Sequence, residues 1–289
     1  MGKAELEILV ATFGEAGLKR LASMIAPSAE GVEYVVSCQC PGHDSLPVPP
    51  ELVRPDIKVV FTPTKGVAIN RNNALRHASA PLCLLSDDDI AFTPGAFRSI
   101  ISAFRSNPSV DIITFKFTGP DGKTTKPYPS SPSPLRPMPK GYYVSAVEVA
   151  FRREHVLSTG IDFNENFGVG LESFGSGEEE LWIFDLLEAG LKGLLIPEHI
   201  AFHHHMQPTG VRLIATDPVL RSQGALLRRF HPLTSLPRLM LKARRVGKAS
   251  GRSTLSSLRP LLYGWWQATL HPGRLFNRRK DTPFNSATI

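Results

Sequence analysis

The run Ala80-Pro81-Leu82-Cys83-Leu84-Leu85-Ser86-Asp87-Asp88-Asp89 decides how the chain is read. Leu82 to Leu85 is a short apolar run, suited to a strand buried on both faces. Three carboxylates follow it at once. In an open parallel sheet, ligands bind beyond the carboxyl ends of the strands. Three adjacent carboxylates repel one another unless a cation is near, and a hard divalent cation with oxygen ligands suits such a place. An aspartate run is otherwise a solvated turn or a helix cap. Its position directly after a buried strand favours the ligand site.

The segments around this run alternate between two periods. Apolar runs at 5–13, 32–37, 57–61, 82–85 and 111–115 read as strands. Helical spacing appears at 16–26, 67–78 and 95–105, with Leu18, Leu21, Ala22 and Ile25 on one side of the first. Such alternation argues for an α/β fold, a mostly parallel sheet with helices on both faces. The stretch 118–140 holds seven prolines and reads as a surface loop, expected to move as a flap. Tyr142 to Phe151 reads as a strand, and 178–189 as a helix stopped by Gly190.

The chain has 289 residues, enough to bury a large core. With 42% hydrophobic and 20% charged residues it is globular, which excludes wholesale disorder. No apolar run approaches the roughly 20 residues of a spanning helix. Glu5 and Glu7 interrupt any signal-peptide pattern. Cys38, Cys40 and Cys83 are too few for a disulfide framework, and Cys38-x-Cys40 lacks zinc spacing. A cytosolic, reducing site of action is the expectation.

Charge is divided along the chain. Residues 1–205 carry 18 Lys+Arg against 24 Asp+Glu, a net of −6, whereas 206–289 carry 15 against 2, a net of +13. Two domains are expected, a catalytic one over 1–205 and a basic, helical C-terminal extension over 206–289. Such an extension meets an anionic membrane, nucleic acid or an acidic partner.

The aspartate run resembles the D-x-D region of GT-A glycosyltransferases, especially the inverting group called family 2. Four further segments agree in order. Leu6 to Phe13 is similar to the family's first strand, and Lys65-Gly66-Val67-Ala68-Ile69-Asn70-Arg71-Asn72-Asn73-Ala74 to its G-x-A-x-A-R-N-x-G segment. Phe151-Arg152-Arg153-Glu154 with Phe163 to Gly168 resembles the acceptor-side stretch. Gly177-Glu178-Glu179-Glu180 resembles the G-E-D motif, and His203 the late histidine. The resemblance covers roughly residues 5–205.

It implies a GT-A, Rossmann-like sheet and metal-dependent, inverting transfer of a sugar from a nucleotide-sugar to an acceptor hydroxyl, in polysaccharide or glycolipid assembly. A UDP-sugar donor and a glycan or lipid-linked acceptor are implied with it. Asp87 is then near ribose and uracil, Asp89 on Mn²⁺ or Mg²⁺ with His203, and Asp88 in support of one of these. Gln39 stands where the family often has an acid that contacts the base. Glu179 is the implied general base, with Glu178 orienting it or touching the acceptor.

The residue chemistry agrees. A departing diphosphate builds negative charge, which a divalent ion stabilises. Arg71 is a fixed cation suited to a phosphate or a base edge, or else a solvated helix arginine. Thr12 and Gly14, at a strand end, allow backbone approach to a nucleotide. A carboxylate at a helix start among other acids can be tuned as a base, or merely complement the helix dipole. Trp182 suits either a sugar ring or the core. His203 and His205 share one face of a strand and His204 takes the other; His205 reads as part of a polar edge and His199 as structural.

In the extension, basic residues from Arg238 to Arg252 precede Leu258, Leu261, Leu262, Trp265, Trp266 and Leu270. This mixture suits an interfacial segment on the anionic inner face of a membrane, or a helix packed on the catalytic domain. No nucleic-acid motif accompanies the charge. A sugar-phosphate nucleotidyltransferase is the second enzymatic reading, though Thr12-Phe13-Gly14-Glu15 lacks the Gly-rich basic loop those enzymes carry. A non-catalytic glycan- or membrane-binding scaffold is the third.

Overall fold

A computed structural model of the protein describes residues 4–203 and 215–276. Four apolar runs form β1 (Leu6–Phe13), β2 (Val32–Gln39), β3 (Ile57–Thr62) and β4 (Leu82–Asp87). They pair in parallel in the order β3-β2-β1-β4. Ala11 stands opposite Asp87 in that register, so β1 and β4 end side by side.

Beyond β4 the sheet continues through β8 (Val149–Arg152), β6 (Ile112–Thr118), β9 (Gly193–His203) and β5 (Ile90–Phe92). β8 runs antiparallel to β4 and β6, β6 and β9 pair in parallel, and β5 returns antiparallel on β9 with Ile90 opposite His203. The long ladders are therefore parallel and the short ones antiparallel, the mixed sheet of a GT-A-like α/β fold. Three-residue β5 carries too few residues for a sequence signal, yet it brings the aspartate run back beside β9.

Helices α1 (Gly14–Met24) and α3 (Ala96–Ser106) pack on this sheet. Leu18 and Leu21 of α1, and Ala96, Ile100 and Phe104 of α3, join Leu6, Ile8, Val10, Val36 and Leu84 in one core. The spacing of four in α3 is the helical stripe that buries one face.

The proline-rich stretch is anchored rather than free. Lys126 Nζ donates to Glu148 Oε1 at 2.6 Å, to Ser145 Oγ at 2.9 Å and to the Tyr143 carbonyl at 2.5 Å. Glu148 also accepts from Tyr128 and Tyr142, both at 2.7 Å. Both charged side chains are wholly buried. Further on, β7 (Ser133–Pro134) pairs with β9 and Leu135 is buried. The expected strand 142–151 is correspondingly short. Glu148 Oε1 takes the Ser145 backbone N–H at 2.9 Å, and Ala146–Glu148 forms a 3-10 turn where the sequence reads as strand.

The chain divides into two compact units: Met1–Lys65, Asn70–Ile161 and Trp182–Met206 in one; Gly66–Ile69, Asp162–Leu181 and Gln207–Ile289 in the other. The second unit thus joins the basic extension to two earlier segments instead of beginning at 206. Helices α2 (Val67–His77) and α5 (Glu178–Glu188) each start in the second unit and continue in the first. Residues 153–158 form a short helix, α4 (Arg153–Ser158), in the first.

The second unit is built on α6 (Asp217–Phe230), α7 (Ser235–Ser250) and α8 (Thr254–Leu270). Leu220, Leu239, Ala243, Val246 and Leu261 form one of its cores. Phe167, Phe174, Leu181, Ala225, Leu226 and Ala268 form another. Pro260 lies inside α8 and cannot donate to the carbonyl four residues earlier. Arg252 Nη2 donates to that Ser256 carbonyl instead, at 3.1 Å. Among the described residues no helix is long and apolar enough to cross a membrane.

Candidate active site

The aspartate run separates into three differently held carboxylates. Asp87 ends β4 and accepts from Arg71 Nη2 at 3.2 Å. Asp88 turns toward α1, where Arg20 grips it through Nε at 2.8 Å and Nη2 at 2.9 Å, and Thr12 Oγ1 donates at 2.5 Å. Asp89 faces His203, with Oδ1 3.6 Å from Nε2.

Arginine therefore answers two of the three carboxylates. Arg20 and Arg71 offset much of the repulsion among the three adjacent carboxylates. Burial pushes the Asp88 carboxyl up to about 6, against the Thr12 hydroxyl and the Arg20 guanidinium, which favour its charged form. Arg20 and Asp88 lie 68 positions apart, and no spacing rule points from one to the other. Sequence reasoning missed Arg20 for that reason.

Gly17 belongs to the same cluster. A Cβ there would lie 2.1 Å from Thr12 Oγ1 and 2.6 Å from Asp88 Oδ2, so only glycine lets both side chains lie against α1. Thr12 is fixed a second way, through its carbonyl, which accepts from Asn70 Nδ2 at 2.9 Å. Gly14 follows with φ +65 and open space beside its Cα, the left-handed conformation that favours glycine. Gln39 ends β2 opposite Phe13 and donates to Thr64 Oγ1 at 3.2 Å. Its side chain is buried, and Thr64 already takes part of its donor capacity.

Asp89 and His203 are 14% and 8% exposed, a carboxylate and an imidazole in reach of one ion. Both donor types suit Mn²⁺, and a carboxylate suits Mg²⁺. Among the described residues no three His, Cys, Asp or Glu gather for a metal. Asp89 and His203 supply two donors, so a divalent ion held there would have to take its remaining ligands from phosphate oxygens and water. His204 and His205 lie outside the described residues. His199 bonds Thr118 Oγ1 at 3.0 Å and the Ala201 carbonyl at 2.9 Å, a structural role.

Glu178 and Glu179 stand in the first turn of α5, in the second unit. Glu178 is 3% exposed and Glu179 half-buried. Gly168, at φ +124, makes room for the first: a Cβ there would sit 3.3 Å from Glu178 Oε2 and 2.7 Å from a Val67 methyl. Trp182, one turn on, is 1% exposed, donates its indole N–H to the Ile161 carbonyl at 3.1 Å and meets Phe151 edge-on. It is a core residue.

Residues 46–161 match the family model described as Glycosyl transferase family 2. No curated protein matches the chain. Among solved structures, S. aureus TarS is similar at 18% identity and TM-score 0.51, over 86% of this chain and 44% of that one. The chain thus spans under half the length of that TarS structure. S. aureus TarS 1-349 in complex with UDP-GlcNAc matches at 17% identity and TM-score 0.54, over 87% of this chain and 74% of that one. The same fragment in complex with UDP matches at 18% and 0.52, over 83% and 70%. Residues 46–161 thus resemble family 2 glycosyltransferases, and the chain as a whole has the GT-A-like fold of the TarS structures.

Proposed function

We propose that the chain moves a sugar from a UDP-sugar to an acceptor hydroxyl with inversion at the anomeric carbon, assisted by Mn²⁺ or Mg²⁺. The observation that carries this is the division of the aspartates at the end of β4, each toward its own partner. Arg71 sets Asp87 for the nucleoside, Arg20 and Thr12 set Asp88 as the brace of the turn, and Asp89 with His203 receives the ion. When bound, the ion supplies positive charge to the departing diphosphate. Thr12 and the open Gly14 backbone border the nucleotide. Glu179 is the general base that takes the acceptor proton, and buried Glu178 orients it.

The structural likeness to TarS, solved with UDP and with UDP-GlcNAc, supports a UDP-sugar and makes UDP-GlcNAc the first donor to try. A glycan or lipid-linked acceptor, a role in polysaccharide or glycolipid assembly, and work on the cytoplasmic side of an anionic membrane belong to the same proposal. A calorimetric donor screen with UDP-sugars, with and without Mn²⁺, tests it, followed by nucleotide release in the presence of acceptor extracts. Binding of no UDP-sugar in either condition would overturn it.

A further inference from the structure

Helix α8 is divided lengthwise. Leu261 is wholly buried, Leu258 packs beside it, and Trp265 donates its indole N–H to Ser235 Oγ of α7 at 2.8 Å. These three, expected at a membrane, instead hold α8 against its neighbours. The other side of the helix is exposed. Leu255 is 62% open to solvent, and Tyr263, Trp266 and Leu270 are each about half open, with Leu262 close behind. Successive members fall seven, one, three and four residues apart, which at about 100° per residue keeps all five within one face of the helix. Arg259 is exposed within it and lines a shallow depression with Leu262, Tyr263 and Trp266.

Five large apolar side chains on one face of a 17-residue helix form a contiguous patch, the kind that marks an interaction site. Arg259 within the face and the basic character of the whole extension select the occupant. From 218 to 280 the sequence contains no Asp or Glu at all. Arg238, Arg244, Arg245 and Lys248 are exposed on α7, the helix before it. A second copy of the chain would bring this face against itself, with Arg259 and the basic helices meeting their own like charge. An anionic bilayer offers headgroups for the arginines and lysines and an acyl boundary for the apolar stripe.

We propose that the outer face of α8, from Leu255 to Leu270, lies in the surface of an anionic membrane, with Trp266 and Leu262 as its apolar anchors. This deepens the reading of a membrane-side enzyme and rests on it for its purpose. The position would hold the enzyme beside a lipid-linked acceptor and raise the local concentration of that acceptor.

The test uses the full chain and vesicles of phosphatidylcholine alone or mixed with phosphatidylglycerol. The parent chain is expected to cosediment with the mixed vesicles at low salt, to detach at high salt, and to ignore phosphatidylcholine. Leu262→Ser with Trp266→Ser is expected to weaken binding at least about tenfold, because each side chain loses its burial in the acyl boundary. Brominated lipid should quench the parent's tryptophan fluorescence, and Trp266→Phe should remove most of that quenching while binding persists.

No binding to mixed vesicles at low salt would overturn the proposal. So would binding that the double variant leaves unchanged, or a dimer of the parent that the double variant dissolves, which would give the face to a second copy. UDP-sugar affinity, measured on the same samples, should be equal in parent and variant. Its absence in both would count against the glycosyltransferase reading alone and leave the vesicle result standing.

Discussion

Arg20 holds both oxygens of Asp88, Nε to Oδ1 at 2.8 Å and Nη2 to Oδ2 at 2.9 Å. A planar guanidinium matches a carboxylate in this way, and lysine cannot reproduce it. The pair anchors the turn from β4 to β5, and through it the positions of Asp87 and Asp89. Arg20→Ala should therefore weaken Mn²⁺-dependent binding of a UDP-sugar by about tenfold to a hundredfold, the usual effect of losing a support behind a metal ligand. Arg20→Lys should recover little. Gly17→Ala, which leaves every charge in place, should do similar harm by crowding Thr12 and Asp88. Calorimetry with and without Mn²⁺ reads all three variants; unchanged affinity in Arg20→Ala would remove the brace from the mechanism.

Glu178 and Glu179 differ in burial, and their variants should differ in kind. Glu179→Gln should cut turnover by at least about a hundredfold with UDP-sugar affinity kept, the signature of a lost base. Glu178 is buried, so Glu178→Gln should lower the melting temperature as well. If Glu178→Gln is the variant that folds normally and loses turnover, the base is one residue earlier. Steady-state rates and melting curves separate the two outcomes.

Lys126 and Glu148 turn the proline-rich stretch from a loose loop into part of the fold. Lys126→Met strands a buried carboxylate and should cost about 3 to 5 kcal/mol of stability. In the parent, amides near 126–128 and 142–148 should exchange hydrogen as slowly as those of the adjoining strands, with no donor present. Fast exchange there that slows on adding donor and acceptor would restore the flap.

The sequence-based reading succeeds where one segment carries its own signal. The apolar runs of β1 to β4 and the stripe of α3 are local, so their places were legible. It falls short where a partner lies far off. Arg20 finds Asp88 only after β1, α1 and β4 are assembled. The run 142–151 has strand-like alternation, yet Glu148 draws its first half into a turn with Lys126 and Tyr142. Trp265 and Trp266 are adjacent in sequence and opposite in role, and only the packing of α8 on α7 tells them apart.

Asp56 gives a pH-dependent prediction. It accepts from Arg54 Nε at 3.0 Å and Nη2 at 2.5 Å, and these bonds hold its carboxyl below the ordinary 3.8. A native value below the unfolded one stabilises above the ordinary carboxylate range, and the gain is lost as pH falls through the native value. Asp56→Asn should thus lower stability near neutral pH by about 1.5 to 3 kcal/mol, as expected for hydrogen bonds to a charged group. Urea midpoints should converge for parent and variant below about pH 4. A gap that stays constant to lower pH would assign the loss to packing rather than charge.

Gly224 of α6 and Gly264 of α8 mark a reciprocal contact between the two helices. A Cβ on Gly224 would lie 1.9 Å from the Leu261 carbonyl oxygen, and one on Gly264 would lie 1.9 Å from that of Arg221. Both obstacles are backbone, so no side-chain rotation relieves them. In an ordinary helix interior, glycine to alanine stabilises by about 1 kcal/mol through helix propensity. Here the sign should reverse. The helices must move apart, and overpacking of this kind costs about 1 to 3 kcal/mol or more. Gly224→Ala and Gly264→Ala should each lower the melting temperature. Gly273→Ala, which meets nothing within 4 Å, should not. The double variant should lose less than the two single losses combined, because the first alanine already opens the gap that the second needs. Melting curves for the parent and the four variants decide it. Stabilisation by either single alanine would show that α6 and α8 do not approach as closely as their glycines allow.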